Sequence, residues 1–304
     1  METLLCIPNF SEGQRDDVIA AIVSAITQDA SLTLLDQASD SEHNRTVVTF
    51  AGAPQAVVDA AVRSARIARE TIDLTSHRGK HPRMGATDVI PLVPLEDVSM
   101  QQCIDLAKQL GRRLASELDI PVYLYEEAAT TPQRRNLAAV RRGEFEELLE
   151  GIKEESRRPD FGPQRLHPTA GATAVGARRP LIAYNVNLHS TDVTIARRIA
   201  RAVRASSGGL AYVKAMGLAL PERGQVQVSM NLTNYMKTPI YRALELIRLE
   251  AARYGVTVAS TELVGLAPQA ALIESAAYYL GLEDFSSDQV LEQRLQQRRE
   301  ESGG

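Results

Sequence analysis

Tryptophan is absent from this 304-residue chain, and all aromatics together make up 5%. Aromatic stacking sites are therefore scarce. Cysteine is nearly absent as well, with Cys6 and Cys103 the two present. Two thiols make no disulfide framework, and both fall in apolar patterns. They read as core thiols in a reducing cytoplasm. No apolar run approaches the ~20 residues needed to cross a bilayer. The opening Met1-Glu2-Thr3-Leu4-Leu5-Cys6-Ile7-Pro8 lacks the basic region and long apolar core of a signal peptide. The net charge is −4, so no basic field speaks for nucleic acid. A Rossmann fingerprint, a P-loop and a G-x-S-x-G elbow are all missing. The expectation is a cytoplasmic protein with neither membrane nor nucleic-acid partner.

What is present is ordinary in bulk and patterned in detail. The chain is 44% hydrophobic and 24% charged, the balance of a globular protein. Its length suggests about two domains. Thr3 to Pro8 reads as a short strand, followed by helical spacing at Val18, Ile19, Ile22, Val23 and Ile26. Strands follow at Leu32 to Leu35 and Thr46 to Phe50, then a helix opened by Pro54. Val89 to Val93 is a strand whose Pro91 argues for an edge or a bulge. Ser99 caps a helix reaching Leu118, and Val122 to Tyr125 is a further strand. Glu126 to Arg158 is polar, with one helix over Leu137 to Ile152. Phe161 to Pro180, rich in Gly, Pro and Ala, reads as a linker with tight turns.

The second half repeats the plan. Strands at Leu181 to Leu188, Leu210 to Leu218, Val226 to Leu232 and Val256 to Leu263 alternate with helices at Val193 to Ala205 and Pro239 to Tyr254. The order β-α-β-β-α-β appears in both halves, which is the split βαβ, ferredoxin-like unit. The fold class expected is α/β (α+β): two ferredoxin-like subdomains in tandem, residues 1–178 and 179–304, with mixed or antiparallel sheets covered by helices.

Chemistry concentrates in Ser76-His77-Arg78-Gly79-Lys80-His81-Pro82-Arg83-Met84-Gly85-Ala86. Gly79, Pro82 and Gly85 oppose a helix, so these ionisable groups ride on a shaped loop. Imidazole titrates near neutral pH, which makes His81 a candidate proton carrier. The His77 and His81 spacing also matches a metal-ligand pair, but the loop setting and the missing intervening Glu argue against one. Pro8-Asn9-Phe10-Ser11-Glu12-Gly13 ends the first strand. Asn9 and Glu12 there meet a ligand, or Ser11 or Asn9 caps the following helix and Gly13 makes the turn. Asp36 to Arg45 lies between two strands; Asp36, Asp40 and Arg45 hold charged ligand groups, or the stretch is a solvated turn. Gly162-Pro163-Gln164-Arg165-Leu166-His167-Pro168-Thr169-Ala170-Gly171 is either a linker or a backbone cradle for a ligand.

Together these motifs resemble the glutamate formimidoyltransferase (formiminotransferase) family. The likeness runs through Cys6 to Gly13, Asn44-Arg45-Thr46, His77 to Ala86, Pro121 to Tyr125, Pro159 to Pro163, Gly171-Ala172-Thr173, Gly176-Ala177-Arg178, Asn185 to Leu188 and Glu262 to Leu266, roughly residues 3 to 285. The resemblance implies a homodimer that moves a formimidoyl group between L-glutamate and N5 of tetrahydrofolate, in histidine breakdown. It implies that His81 is the acid/base residue and that Gly162 to Gly171 is the folate segment. That segment has no aromatic, so pterin stacking would fall to Phe161 or a tyrosine. The cyclodeaminase fused to this domain in some animals has no room within 304 residues. Glutamate and folate carry carboxylates, for which Arg45, Lys80, Arg83, Arg165 and Arg178 are the candidate cations. A carboxylate from Glu12, Asp36 or Asp40 is expected to raise the His81 pKa against Lys80 and Arg83. No metal is expected. The alternatives are a cyclo-ligase-like enzyme acting on 5-formyltetrahydrofolate, and a folate-binding protein without transfer activity.

Overall fold

The computed structural model describes residues 2–303, apart from the side chains of residues 296 and 300–303. The chain divides into two compact units, Met1–Arg179 and Pro180–Gly304.

In the first unit the leading strand is broken at Ile7-Pro8 into β1, Thr3–Cys6, and β2, Asn9–Phe10. Then come α1 (Asp16–Thr27), β3 (Thr33–Asp40), β4 (Arg45–Gly52), α2 (Pro54–Thr71) and β5 (Thr87–Glu96). The four-strand order is β3, β4, β1 with β2, and β5, all antiparallel. That is a split βαβ layout. The sheet continues past β5. The helix α3 (Met100–Leu118) leads to β6 (Val122–Glu126), and β7 (Thr173–Ala177) slots in parallel between β5 and β6. Two short helices, α4 (Leu137–Val140) and α5 (Glu144–Gly151), lie in the intervening segment.

Each helix follows from local chemistry. Val18, Ile19, Ile22 and Ile26 give α1 one buried stripe. Pro54 opens α2 where its missing N–H costs nothing. At α3 the Gln102 N–H donates to the Ser99 hydroxyl (3.2 Å), and the Ser99 N–H donates to the Gln102 side chain (2.8 Å). That capping box satisfies two orphan donors. Phe10, Phe50, Leu4, Ile90, Leu92, Leu110 and Leu114 fill the core between sheet and helices.

Three sequence expectations need correction here. Pro91 is not on an edge, because β5 is flanked by β1 and β2 on one side and β7 on the other. The bulge alternative is closer to the truth. The Pro91 carbonyl accepts from Ile7 N–H (3.3 Å), so its missing donor faces the break between β1 and β2. The single helix over Leu137 to Ile152 is two helices, parted where Gly143 takes φ 84°. Phe161 to Pro180 is no linker, since β7 lies within it as an internal strand buried along its length.

The second unit is the simpler one. It contains β8 (Ile182–Leu188), α6 (Val193–Val203), β9 (Val213–Leu220), β10 (Gln225–Leu232), α7 (Ile240–Ala252) and β11 (Val258–Val264). The order β11-β8-β10-β9 is antiparallel throughout. Tyr184, Val186, Val226, Val228 and Met230 form one core with Ile199, Val203, Leu244 and Ile247. The helices α8 (Gln269–Leu280) and α9 (Leu291–Gly303) follow. No helix among the described residues is long and apolar enough to cross a membrane.

Candidate active site

Four stretches of the first unit interlock around His81. Ser11, just after β2, donates its hydroxyl to the Gly85 carbonyl (2.7 Å) and its N–H to the Ala86 carbonyl (2.8 Å). Asn44, at the turn between β3 and β4, accepts from Gly13 N–H (2.8 Å) and donates to the Arg78 carbonyl (2.9 Å). The Lys80 N–H reaches the Glu42 carbonyl (3.3 Å). From the other side, Ala86 N–H donates to Ala170 (2.9 Å), Ala172 N–H to Met84 (2.9 Å) and Leu74 N–H to Thr169 (2.8 Å). The end of the Gly162 to Gly171 segment is thus stitched to the histidine loop. Gly85 is needed for that seam, because a Cβ there would overlap the Ala172 carbonyl oxygen.

His77 belongs to this framework. The Arg83 Nε–H donates to its Nδ1 (3.2 Å), so Nε2 carries the hydrogen that meets the Asn44 carbonyl (3.1 Å). The ring is buried, and burial pushes its pKa down. His81 faces different neighbours. The Arg45 guanidinium touches its Nε2 at 3.5 Å. Burial, then the charges of Arg45, Arg141 and His43, push the His81 pKa down to about 3, against a weaker upward pull from Asp40. The imidazole is therefore neutral at pH 7. Arg141 donates to Asp88, which is 2% exposed and also accepts from Met84 N–H (2.8 Å).

The remaining candidates divide plainly. Arg45 and Asp40 stand in the electrostatic neighbourhood of His81. Asp40 is already engaged, accepting from the N–H groups of Glu42 (2.9 Å) and His43 (2.8 Å) and pairing with the His43 ring (2.8 Å). Glu12 is not a partner of His81. Burial would raise its pKa, but the N–H groups of Gln14 and Arg15 and the Arg15 guanidinium overturn that and hold it low. Asp36 lies opposite Thr49, about 13 Å along β3 from Asp40 at the usual strand rise. Asn9 donates to the Ile7 carbonyl (3.1 Å).

The cations flanking His81 in sequence are each paired elsewhere. Lys80 forms an exposed ion pair with Glu42. Arg83 grips both Glu146 oxygens (2.7 and 2.8 Å) and reaches Glu144 (3.3 Å). Arg178 donates to the Arg179 carbonyl (3.0 Å).

The Gly162 to Gly171 segment is shaped by its own residues. Gly162 and Gly171 have φ of 89° and 68°. The His167 Nδ1 accepts from Ala170 N–H (3.0 Å), closing a turn over Pro168 and Thr169. Gln164 donates to the Lys153 carbonyl (3.1 Å), and Arg165 pairs with Asp119 (2.6 Å) at the surface. Pro163 immediately precedes these anchors, and Leu166 follows them and is buried. Phe161 is engaged, with the Arg112 guanidinium 5.2 Å from its ring centre.

Sequence reasoning missed Asn44, Asp88 and Arg141. Asn44 lies inside the flagged Asp36 to Arg45 and Asn44-Arg45-Thr46 stretches without having been given a role, and Asp88 sits just after the histidine loop, which is a usable signal. Arg141 carries none, being one of several arginines in a polar stretch. Among the described residues no group of three His, Cys, Asp or Glu is placed to hold a metal ion.

Residues 3–178 match the model of the formiminotransferase domain, N-terminal subdomain, and residues 183–296 match the formiminotransferase domain. The chain belongs to the formiminotransferase family. The glutamate formimidoyltransferase of Streptococcus pyogenes serotype M1 is 50% identical over 95% of this chain and 97% of its own length. That of Thermoplasma acidophilum is 51% identical over 97% of this chain and 98% of its own. The mouse formimidoyltransferase-cyclodeaminase is 46% identical over 90% of this chain, which spans 52% of that relative. The residues built around His81 are therefore the candidate machinery of a formiminotransferase.

Proposed function

We propose that this formiminotransferase moves a formimidoyl group from N-formimidoyl-L-glutamate to N5 of tetrahydrofolate, with His81 carrying the proton. The observation that supports this best is a neutral, largely buried imidazole on a loop stitched to the Gly162 to Gly171 segment, where the folate would lie. Attack of N5 on the amidine carbon forms the N5–C bond and leaves an extra proton on N5. Neutral His81 accepts that proton. The tetrahedral intermediate then expels glutamate as the C–N bond breaks, and His81 returns the proton to the departing amine. Proton transfer of this kind contributes about 10²–10⁴-fold. Holding both substrates in one place supplies much of the rest. In the opposite direction the imidazole serves the glutamate amine first.

Gly162, Pro163, Gln164, Arg165, Leu166, His167, Pro168, Thr169, Ala170 and Gly171 are proposed to line the folate. The bends fixed by Gly162, Gly171 and His167 would let backbone groups approach it. The reading includes a cytoplasmic homodimer. Cys6 and Cys103 are buried free thiols, which suit a reducing compartment. Leu249, Leu280 and Leu291 are 65%, 70% and 77% exposed, giving the second unit apolar surface to bury against a copy. The test is a coupled assay with N-formimidoyl-L-glutamate and tetrahydrofolate, run beside 5-formyltetrahydrofolate with ATP. Turnover in the first arm alone supports the proposal. Turnover in the second arm alone would replace it with a cyclo-ligase-like activity. Folate binding with neither turnover would leave a binding protein.

A further inference from the structure

Arg45 and Arg141, both half-buried beside His81, differ from the buried Arg83 and the half-buried Arg134 of the first unit. Arg83 is answered by Glu146 and Glu144, and Arg134 by Asp160. Arg45 has no ion pair among the described residues, and its guanidinium meets only the His81 ring. Arg141 turns Nη2 toward Asp88, while its Nε is buried without a hydrogen-bond partner. The charges facing these groups come from each neighbouring element. They are Asp40 and His43 at the β3–β4 turn, Asp88 on β5, and the arginines themselves. Asp88 is committed to Arg141 and the Met84 N–H, and Asp40 to His43. Two guanidiniums thus share little negative charge, and a buried N–H lacks an acceptor. Such a group is destabilising unless an acceptor arrives. The arrangement is one carboxylate short.

This inference rests on the formimidoyl-transfer reading and deepens it. We propose that Arg45 and Arg141 together clamp the α-carboxylate of the glutamyl substrate and so set its amidine carbon beside His81. Arg45 already touches the His81 ring, so a carboxylate it holds must lie close to the reacting atoms. In N-formimidoyl-L-glutamate the α-carboxylate and the amidine share one Cα–N unit. The side-chain carboxylate is removed by further methylenes and belongs to another contact. Arginine suits the task because its planar fork takes a carboxylate on two donors. The bound anion also answers the positive field that now opposes a proton on His81. The substrate would thereby help make the imidazolium that its own departing amine needs.

The test compares N-formimidoyl-L-glutamate with its α-amide and its side-chain amide, in wild type, Arg141→Lys and Arg45→Lys. Wild type should prefer the acid over the α-amide by about 10- to 100-fold in kcat/KM, the worth of a charge-assisted hydrogen bond. Arg141→Lys keeps a positive charge against Asp88, so the fold is retained, but it loses the fork. It should raise the KM for the acid about tenfold and reduce the α-amide discrimination to within about threefold, leaving tetrahydrofolate KM unchanged. Calorimetric titration of L-glutamate itself should show the same loss without turnover. Unchanged discrimination in both lysine variants would overturn the clamp. So would a wild type that accepts the α-amide as readily as the acid, a result that needs no variant and leaves the transfer reading intact. Absence of any transfer from the acid itself would remove the transfer reading, and the clamp with it.

Discussion

His81 draws its properties from side chains distant in sequence. Its low affinity for protons comes chiefly from burial and then from Arg45 and Arg141, ahead of the Lys80 and Arg83 beside it. Sequence shows which groups are adjacent along the chain but not which are already paired. Glu42 and Glu146 answer the two local cations, and neither pairing is legible before the chain folds. The consequence is a pH dependence with a definite sign. A histidine whose folded pKa lies below its unfolded value gives no stability difference above about pH 6.5, where both states are neutral. Below that, the unfolded chain takes up a proton that the native state refuses until about pH 3. Native stability therefore falls as pH drops through this window. Between pH 7.5 and 5.5 the His81 share should be about 1 kcal/mol, so His81→Gln should flatten the urea-midpoint profile by that amount. His77, also pushed down by burial, keeps the remaining slope in that variant. An identical profile in wild type and His81→Gln would place the 81 ring in water.

At the scale of elements, legibility follows the strength of the periodic signal. The helix α1 was readable from its apolar stripe alone, α2 from its stripe with Pro54 at the start, and α3 from its stripe with the Ser99 cap. Ser99→Ala should lower stability by about 1 kcal/mol in denaturant melts through loss of the capping box. The strand β7 was illegible for a physical reason. Parallel strands buried on both faces lack polar alternation. Here the run Thr173 to Ala177 also holds no large apolar side chain beyond Val175. A Cβ at Gly176 would stand 2.5 Å from the Tyr125 ring. Gly176→Val should therefore cost about 1–3 kcal/mol or more by overpacking, measured by the same melts. Tolerance of valine would mean that β6 and β7 pack more loosely than described. The segment after Gly162 was equally opaque, since glycine and proline signal turns without naming what the turns approach.

At the scale of the molecule, the tandem β-α-β-β-α-β plan was visible from element order alone, although the halves share no evident sequence. Hydrophobic period sets element type, and short connections then leave few topologies. The extension of the first sheet by β7 and β6 was not foreseen, because it depends on the misread segment. Each unit has its own core cluster. The fragment 180–304 should accordingly fold by itself, with cooperative thermal unfolding by circular dichroism. A fragment without a transition would show that its core needs the first unit.

The central claim is that one neutral imidazole moves the proton between the pterin nitrogen and the glutamate amine. It is tested most directly by single-turnover transfer from N-formimidoyl-L-glutamate to tetrahydrofolate in His81→Ala, alongside tetrahydrofolate affinity. The account predicts a loss of transfer rate of at least about 100-fold with folate affinity unchanged. A rate within about threefold of wild type would contradict it.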